Sequence, residues 1–190
     1  WLGAVMVPLN LRLSPAELAQ QVQDAAPRLL LLEPEFVALL DTALPAGLGE
    51  ARRLLLDAAP ATGLALAGDE PQDAAAPPVV GRSDDAVLML YTAAVDGRAR
   101  GAVVSQRNLV ASSAQLGLAW GLGPDDRWLG VLPLFHAAGI GLALATQAAG
   151  GASVLLPRWD PAAAVQAVDA HGVSLAATFA PMLGGLLDAA

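Results

Sequence analysis

The sequence predicts an α/β fold: parallel strands covered by helices on both faces. Three observations lead there. Apolar runs of strand length alternate with amphipathic runs that open on helix caps, giving a β-α-β-α-β rhythm from Gly3 to Leu56. The chain is 55% hydrophobic but only 4% aromatic, so its apolar mass is Ala, Leu and Val, which suits close strand–helix contacts. Several strands also lead directly into turns bearing Thr, Arg or His, and open α/β sheets place their sites at the carboxyl ends of strands.

Taken in order, Gly3–Leu9 reads as a short buried strand. Ser14-Pro15-Ala16-Glu17 supplies a capping box with proline in the first turn, so a helix starts there and ends before Pro27. Leu18 and Val22, spaced i to i+4, face its core side. Arg28–Leu32 has strand length, Pro34–Ala43 is a second helix with Phe36, Val37, Leu39 and Leu40 as core candidates, and Arg52–Leu56 is a further strand. Asp57–Asp85 is rich in proline and acidic residues and reads as a long connection, with a short strand at Leu64–Ala67. Gln106–Leu118 is a helix and Gly121–Asp126 a turn. Trp128–Leu132 is a strand, Ala137–Ala149 an apolar helix, and Ala152–Leu156 a strand. Asp160-Pro161 caps a helix that runs to about Ala170 and closes at Gly172, Val173–Thr178 is the last strand, and Pro181–Ala189 a last helix.

At 190 residues the chain can bury a sizeable core shared between two sub-domains. The formal net charge is -8, and no basic run exceeds Arg52-Arg53, which argues against nucleic acid as a partner. There is no cysteine, which excludes disulfides and thiolate metal sites, and the two histidines are too few for a histidine zinc cluster. The stretch from Trp128 to Pro157 has no charged side chain, but Pro133, His136, Gln147 and several glycines interrupt it. It reads as buried core rather than a membrane span.

The stretch most suited to chemistry is Val87–Leu109, VLMLYTAAVDGRARGAVVSQRNL. A buried strand, Val87–Tyr91, leads into a polar loop with Asp96, Gly97, Arg98, Arg100 and Gly101. A second apolar run and Ser105, a helix cap, follow. Backbone N–H groups of a glycine loop can turn toward phosphate oxygens, and arginines supply the countercharge.

At these residues the sequence resembles the phosphate loop of the adenylate-forming acyl-CoA synthetases, where the family usually reads YTSGTTGxPKGxxxSHxNL. Tyr91, Thr92, Gly97, Arg98, Gly101, Val103, Ser105, Arg107, Asn108 and Leu109 fall on the pattern. Gly3–Asn10 (GAVMVPLN), Leu132–Gly139 (LPLFHAAG) and Gly172–Leu183 (GVSLAATFAPML) resemble three further family segments, in the family's order. The resemblance implies two flavodoxin-like sub-domains, the first over residues 1–120 with the phosphate loop at 91–101, the second from 121 and unfinished at 190. It implies ATP, Mg2+ and coenzyme A as ligands, a small-molecule carboxylic acid as substrate, and a cytoplasmic enzyme of fatty acid metabolism. It places nucleotide contacts on Thr92, Ala93, Ala94, Val95, Asp96, Gly97, Arg98, Arg100 and Gly101, and an acyl pocket on Phe135, His136 and Gly139. The adenylation lysine it implies sits on a C-terminal domain. All ten basic residues here are arginines, so a longer parent protein is expected, with no catalytic residue within this chain.

The departures fall inside the loop. The family's Ser-Gly-Thr-Thr is Ala93-Ala94-Val95-Asp96, and its Pro-Lys is Ala99-Arg100. Three hydroxyl donors are lost, each worth roughly 1.5–3 kcal/mol when the acceptor is charged. Ala94 in a left-handed conformation would cost about 1–2 kcal/mol. A carboxylate at Asp96 about 4 Å from phosphate repels it by on the order of 4 kcal/mol at an effective dielectric of ~20. Arg100 keeps the lysine's charge but not its point-like geometry. Set against roughly -8 kcal/mol for micromolar binding, these losses predict weak or absent ATP binding.

Each singled-out residue also has a plain structural reading. His136 is a pocket residue by resemblance and a core or helix-capping histidine otherwise. His171 complements a helix dipole. Arg98 and Arg100 are a phosphate clamp or solvated loop charges, with Asp96 as a partner. Thr92 is a ligand hydroxyl or an ordinary strand-end threonine. Trp120, Trp128 and Trp159 pack sub-domains, and the pairs Asp84-Asp85 and Asp125-Asp126 read as hydrated turn carboxylates rather than metal ligands. Two functions follow: part of an AMP-forming acyl-CoA synthetase, or an inactive relative that keeps the fold for binding or assembly.

Overall fold

The structure is a computed structural model that describes residues 3–44, 47, 51–56, 81–93 and 98–190. The expected strand at Leu64–Ala67, and most of the connection around it, lie outside the described residues. The chain divides into two compact units, Trp1–Gly81 with Tyr91–Gly101, and Arg82–Leu90 with Ala102–Ala190.

In the first unit, helix α1 spans Pro15–Ala25. Ser14 caps it as its sequence predicts: the Glu17 N–H donates to Ser14 Oγ, and the Ser14 N–H returns a 2.9 Å bond to Glu17 Oε2. Ala26 ends the helix in the left-handed region at φ 42°, an unusual position for a residue with a Cβ, and Pro27 prevents continuation. Strands β1 (Leu29–Leu32) and β2 (Arg52–Leu55) run parallel, with Leu31 opposite Leu54. A 3-10 turn, Pro34–Phe36, leads into α2 (Val37–Ala43) between them. Leu18 and Val22 of α1, Leu30 and Leu32 of β1, and Leu40, Ala43 and Leu44 form one core, with Val37 and Leu39 packed against it. Full burial of each leucine contributes roughly 1.5–3 kcal/mol.

In the second unit, β5 (Arg127–Gly130) lies between β6 (Ala152–Leu155) and β7 (Leu175–Ala176), parallel to both. Helix α4 (Ala137–Ala148) connects β5 to β6, α5 (Pro161–His171) connects β6 to β7, and α6 (Ala180–Ala189) follows. Side chains alternate along a strand, and β5 uses both faces. Trp128 packs with Leu132, Leu142, Ala138 and Met182, whereas Leu129 packs with Ala164, Ala167, Val168 and Leu186. Both residues are fully buried. Helix α3 (Gln106–Trp120) packs along α4 and starts on the expected cap: the Asn108 N–H donates to Ser105 Oγ at 3.2 Å. Asp160 caps α5 through the Ala163 N–H at 2.9 Å. Among the described residues, no helix is long and apolar enough to cross a membrane.

Several expectations need correction. Gly3–Leu9 is not a buried strand: Met6 makes an isolated bridge, and Val5 and Met6 are exposed. An apolar run reports a wish for burial, and a strand also needs a partner for its backbone. The last strand contracts from Val173–Thr178 to Leu175–Ala176, because only those two residues pair with β5. The strands flanking the polar loop, β3 (Ala86–Tyr91) and β4 (Gly101–Ser105), pair with each other in a two-stranded sheet. Bonds from Thr92 to Arg100, Gln106 to Asp85 and Arg107 to Ser83 climb one strand while descending the other, so the pairing is antiparallel. The loop therefore joins a hairpin, where the sequence suggested the tips of a parallel sheet. Trp120 is exposed rather than packed.

Candidate functional site

Of the residues expected to contact nucleotide, Thr92, Ala93, Arg98, Arg100 and Gly101 are described, and Ala94, Val95, Asp96 and Gly97 lie outside the described residues. The neck of the loop is closed at Thr92 and Arg100. The Thr92 N–H donates to the Arg100 carbonyl at 3.0 Å, and the Arg100 N–H donates to Thr92 Oγ1 at 3.4 Å. Thr92, Ala93, Arg98 and Arg100 are exposed, and Gly101 is half-buried. Immediately before the neck, the Tyr91 hydroxyl lies 2.8 Å from Asp24 Oδ2 and 3.1 Å from the Gln21 carbonyl oxygen, both on α1. Burial, and then the Asp24 carboxylate, push the Tyr91 phenol well above its ordinary range, so it remains a proton donor at neutral pH.

His136 stands at the start of α4, beyond the carboxyl end of β5. Leu132 is buried in the core, and the His136 N–H donates to the Pro133 carbonyl at 3.0 Å, making a turn with Leu134 and Phe135 at its corners. His136 is the N-cap of α4: its Nδ1 accepts the Ala138 N–H at 3.2 Å. An accepting Nδ1 puts the proton of the neutral ring on Nε2. His136 is exposed and Phe135 half-buried. Gly139 is buried in the first turn of the same helix, and a Cβ there would collide with the Pro133 carbonyl oxygen and come within 2.8 Å of that of Leu132. Its lack of a side chain lets the helix sit directly on the turn.

The other singled-out residues have local partners. His171 lies in the last turn of α5, which closes at Gly172 with φ 59°. Asp84 pairs with Arg107 at 2.8 Å, and Asp85 Oδ2 accepts the Arg82 N–H at 2.7 Å. Asp126 accepts the Ser174 hydroxyl at 2.7 Å and the Gly123 N–H at 2.8 Å, and these bonds hold its carboxyl below the usual range. Among the described residues, no three His, Cys, Asp or Glu side chains gather as metal ligands.

Parallel strands joined through helices make each unit an α/β fold. The chain belongs to the AMP-binding enzyme family, whose profile matches residues 2–190. Among relatives, it is 38% identical over 174 residues to the feruloyl-CoA synthase of an Amycolatopsis species, covering 91% of this chain and 33% of that protein. The chain thus spans about a third of the length of the relatives it matches. Among solved structures, a Rhodopseudomonas palustris protein described as a candidate long-chain-fatty-acid CoA ligase has a TM-score of 0.83 at 38% identity, over 99% of this chain and 47% of that one. ATP-bound MatB from the same organism has a TM-score of 0.68 at 26% identity, over 87% of this chain and 32% of that one.

Two relationships were invisible to sequence reading, and a third was legible only in part. The Asp24–Tyr91 contact joins residues 67 apart, and the Asp126–Ser174 contact joins residues 48 apart. No local pattern announces either. The close approach at Gly139 had a signal, a glycine in the first turn of an apolar helix, but not the neighbour it meets.

Proposed function

We propose that this chain is part of an AMP-forming acid–thiol ligase, in which a carboxylate attacks the α-phosphate of ATP, releases pyrophosphate, and the acyl group then passes from AMP to the thiol of coenzyme A. The family match along residues 2–190, with relatives named as CoA ligases, supports this reading. In it, the exposed Thr92 hydroxyl and the Arg98 and Arg100 guanidiniums face phosphate together with Ala93, Gly101 and the residues 94–97. The nucleotide's own phosphate oxygens would carry Mg2+. His136, Phe135 and Gly139 serve the acyl side, where the capped ring offers its Nε2–H outward as a donor. Such chemistry needs positioning and charge stabilisation more than proton transfer from the protein, since the attacking acid is already ionised. The sub-domain division near residue 120, a soluble cytoplasmic setting, fatty-acid metabolism and a lysine-bearing C-terminal domain belong to the same reading.

The loop substitutions favour a second reading, an inactive relative that keeps the fold for binding or assembly. Pyrophosphate exchange by the complete protein, assayed with a panel of carboxylic acids, separates the two. Exchange with any acid supports the ligase. A chain that lacks exchange yet gains micromolar binding of a fluorescent ATP analogue on combining Ala93→Ser, Ala94→Gly, Val95→Thr, Asp96→Thr, Ala99→Pro and Arg100→Lys is the inactive relative. Micromolar binding by the unaltered chain would refute the weakened loop.

A further inference from the structure

Asp24 occupies the last turn of α1, a turn without a basic residue. A negative charge there opposes the helix dipole, so local helix physics gives no reason for it. Its partner gives one. The Tyr91 hydroxyl has a single proton, and the shorter of its two contacts runs to the Asp24 carboxylate at 2.8 Å, a charge-assisted bond. The other, to the Gln21 carbonyl at 3.1 Å, holds the same ring against the same helix. Tyr91 is followed at once by Thr92, which closes the neck through the Arg100 backbone. All five residues belong to one compact unit. A chain of contacts thus runs from α1 through the Asp24 carboxylate to the Tyr91 phenol, and from its chain neighbour Thr92 to the backbone of Arg100 at the loop neck.

We propose that Asp24 is a positioning residue for the nucleotide loop: acting through Tyr91, it fixes the Thr92–Arg100 neck on α1 and so sets how tightly the loop holds the phosphates of ATP. This rests on the nucleotide reading above. Where local preference and observed placement conflict, the conflict marks a residue held by a tertiary role.

Tyr91 is the sole tyrosine, so tyrosinate absorbance reports this hydroxyl without interference. The test compares Asp24→Ala, Asp24→Asn and Tyr91→Phe, each in the present chain and in the chain with the family loop restored. Asp24→Ala is expected to speed amide exchange at Thr92 and Arg100 about fivefold to tenfold and to move tyrosinate formation down toward the ordinary value of 10.0. In the loop-restored chain it weakens ATP by a similar factor. Asn retains an acceptor oxygen and no charge, so Asp24→Asn restores exchange and ATP affinity to within about twofold. Tyr91→Phe matches Asp24→Ala, and combining the two adds nothing further. Unchanged exchange in Asp24→Ala, no rescue by Asn, or faster exchange with unaltered ATP affinity would each overturn the proposal. A different result, no ATP binding by the loop-restored chain with Asp24 intact, overturns the nucleotide reading instead, and the exchange data then show whether Asp24 still orders the neck.

Discussion

Ser174 donates its hydroxyl proton to Asp126 Oδ1 across 2.7 Å, and the Arg127 N–H donates to the same hydroxyl oxygen at 3.0 Å. The start of β5 is thereby tied to the residue just before β7, and the Ser174 N–H completes the tie on the Arg127 carbonyl at 3.0 Å. The bonds favour the ionised Asp126 and lower its pKa from the ordinary 3.8. Glu17, held by Ser14, is likewise lowered from 4.5.

The sign of the resulting pH dependence is fixed. A carboxyl with a depressed folded pKa stabilises the fold at pH values above its unfolded pKa and loses that contribution as pH falls through the folded one. The melting temperature should therefore hold steady from pH 7 to about 5 and drop as acid takes the chain below about 4. Ser174→Ala should lower the neutral-pH plateau and flatten the acid limb, since the bond that favours ionised Asp126 is gone. Melting curves of both chains across this range give the comparison, and parallel acid limbs would remove Asp126 from the account.

His136→Ala deletes the cap of α4. The expected cost is about 0.5–2 kcal/mol in urea unfolding of the chain. His136→Asn, whose side-chain oxygen can accept the Ala138 N–H, should recover most of it. If instead both variants are as stable as the parent, the ring does not support the helix.

Gly139→Ala pushes a methyl group into the Pro133 and Leu132 carbonyls. Backbone cannot swing aside as a flexible side chain can, so overpacking of roughly 1–3 kcal/mol is expected. Gly117 serves as a control, because nothing lies within 4 Å of a Cβ there, and Gly117→Ala in the last turn of α3 should be neutral or stabilising. Equal melting temperatures for the two variants would contradict the close contact.

Local grammar was the legible part of this sequence. Ser14, Ser105 and Asp160 cap helices where their neighbours said they would, since a cap is settled within about four residues. Leu18, Val22 and Leu40 lie in the core that their spacing indicated. What sequence could not supply was partnership. The run at Gly3–Leu9 has strand composition, but among the described residues it makes only the bridge at Met6. Val87–Tyr91 was recognisable as a strand, whereas its antiparallel pairing with Gly101–Ser105 depends on contacts that no periodicity encodes. At the candidate site, motif spacing pointed to Thr92, Arg100 and His136, and their bonding to a neck and a helix start had to come from coordinates.

The two faces of β5 also bear on how the chain reaches its fold. An indole occupies one side beside Leu142, and a leucine occupies the other against Ala164 and Ala167. A slip of one residue along the ladder would exchange them, driving the larger ring into the alanine-lined side and leaving a void opposite. Misaligned strands would thus be rejected on volume alone, a form of proofreading written in side-chain size rather than in hydrogen bonds.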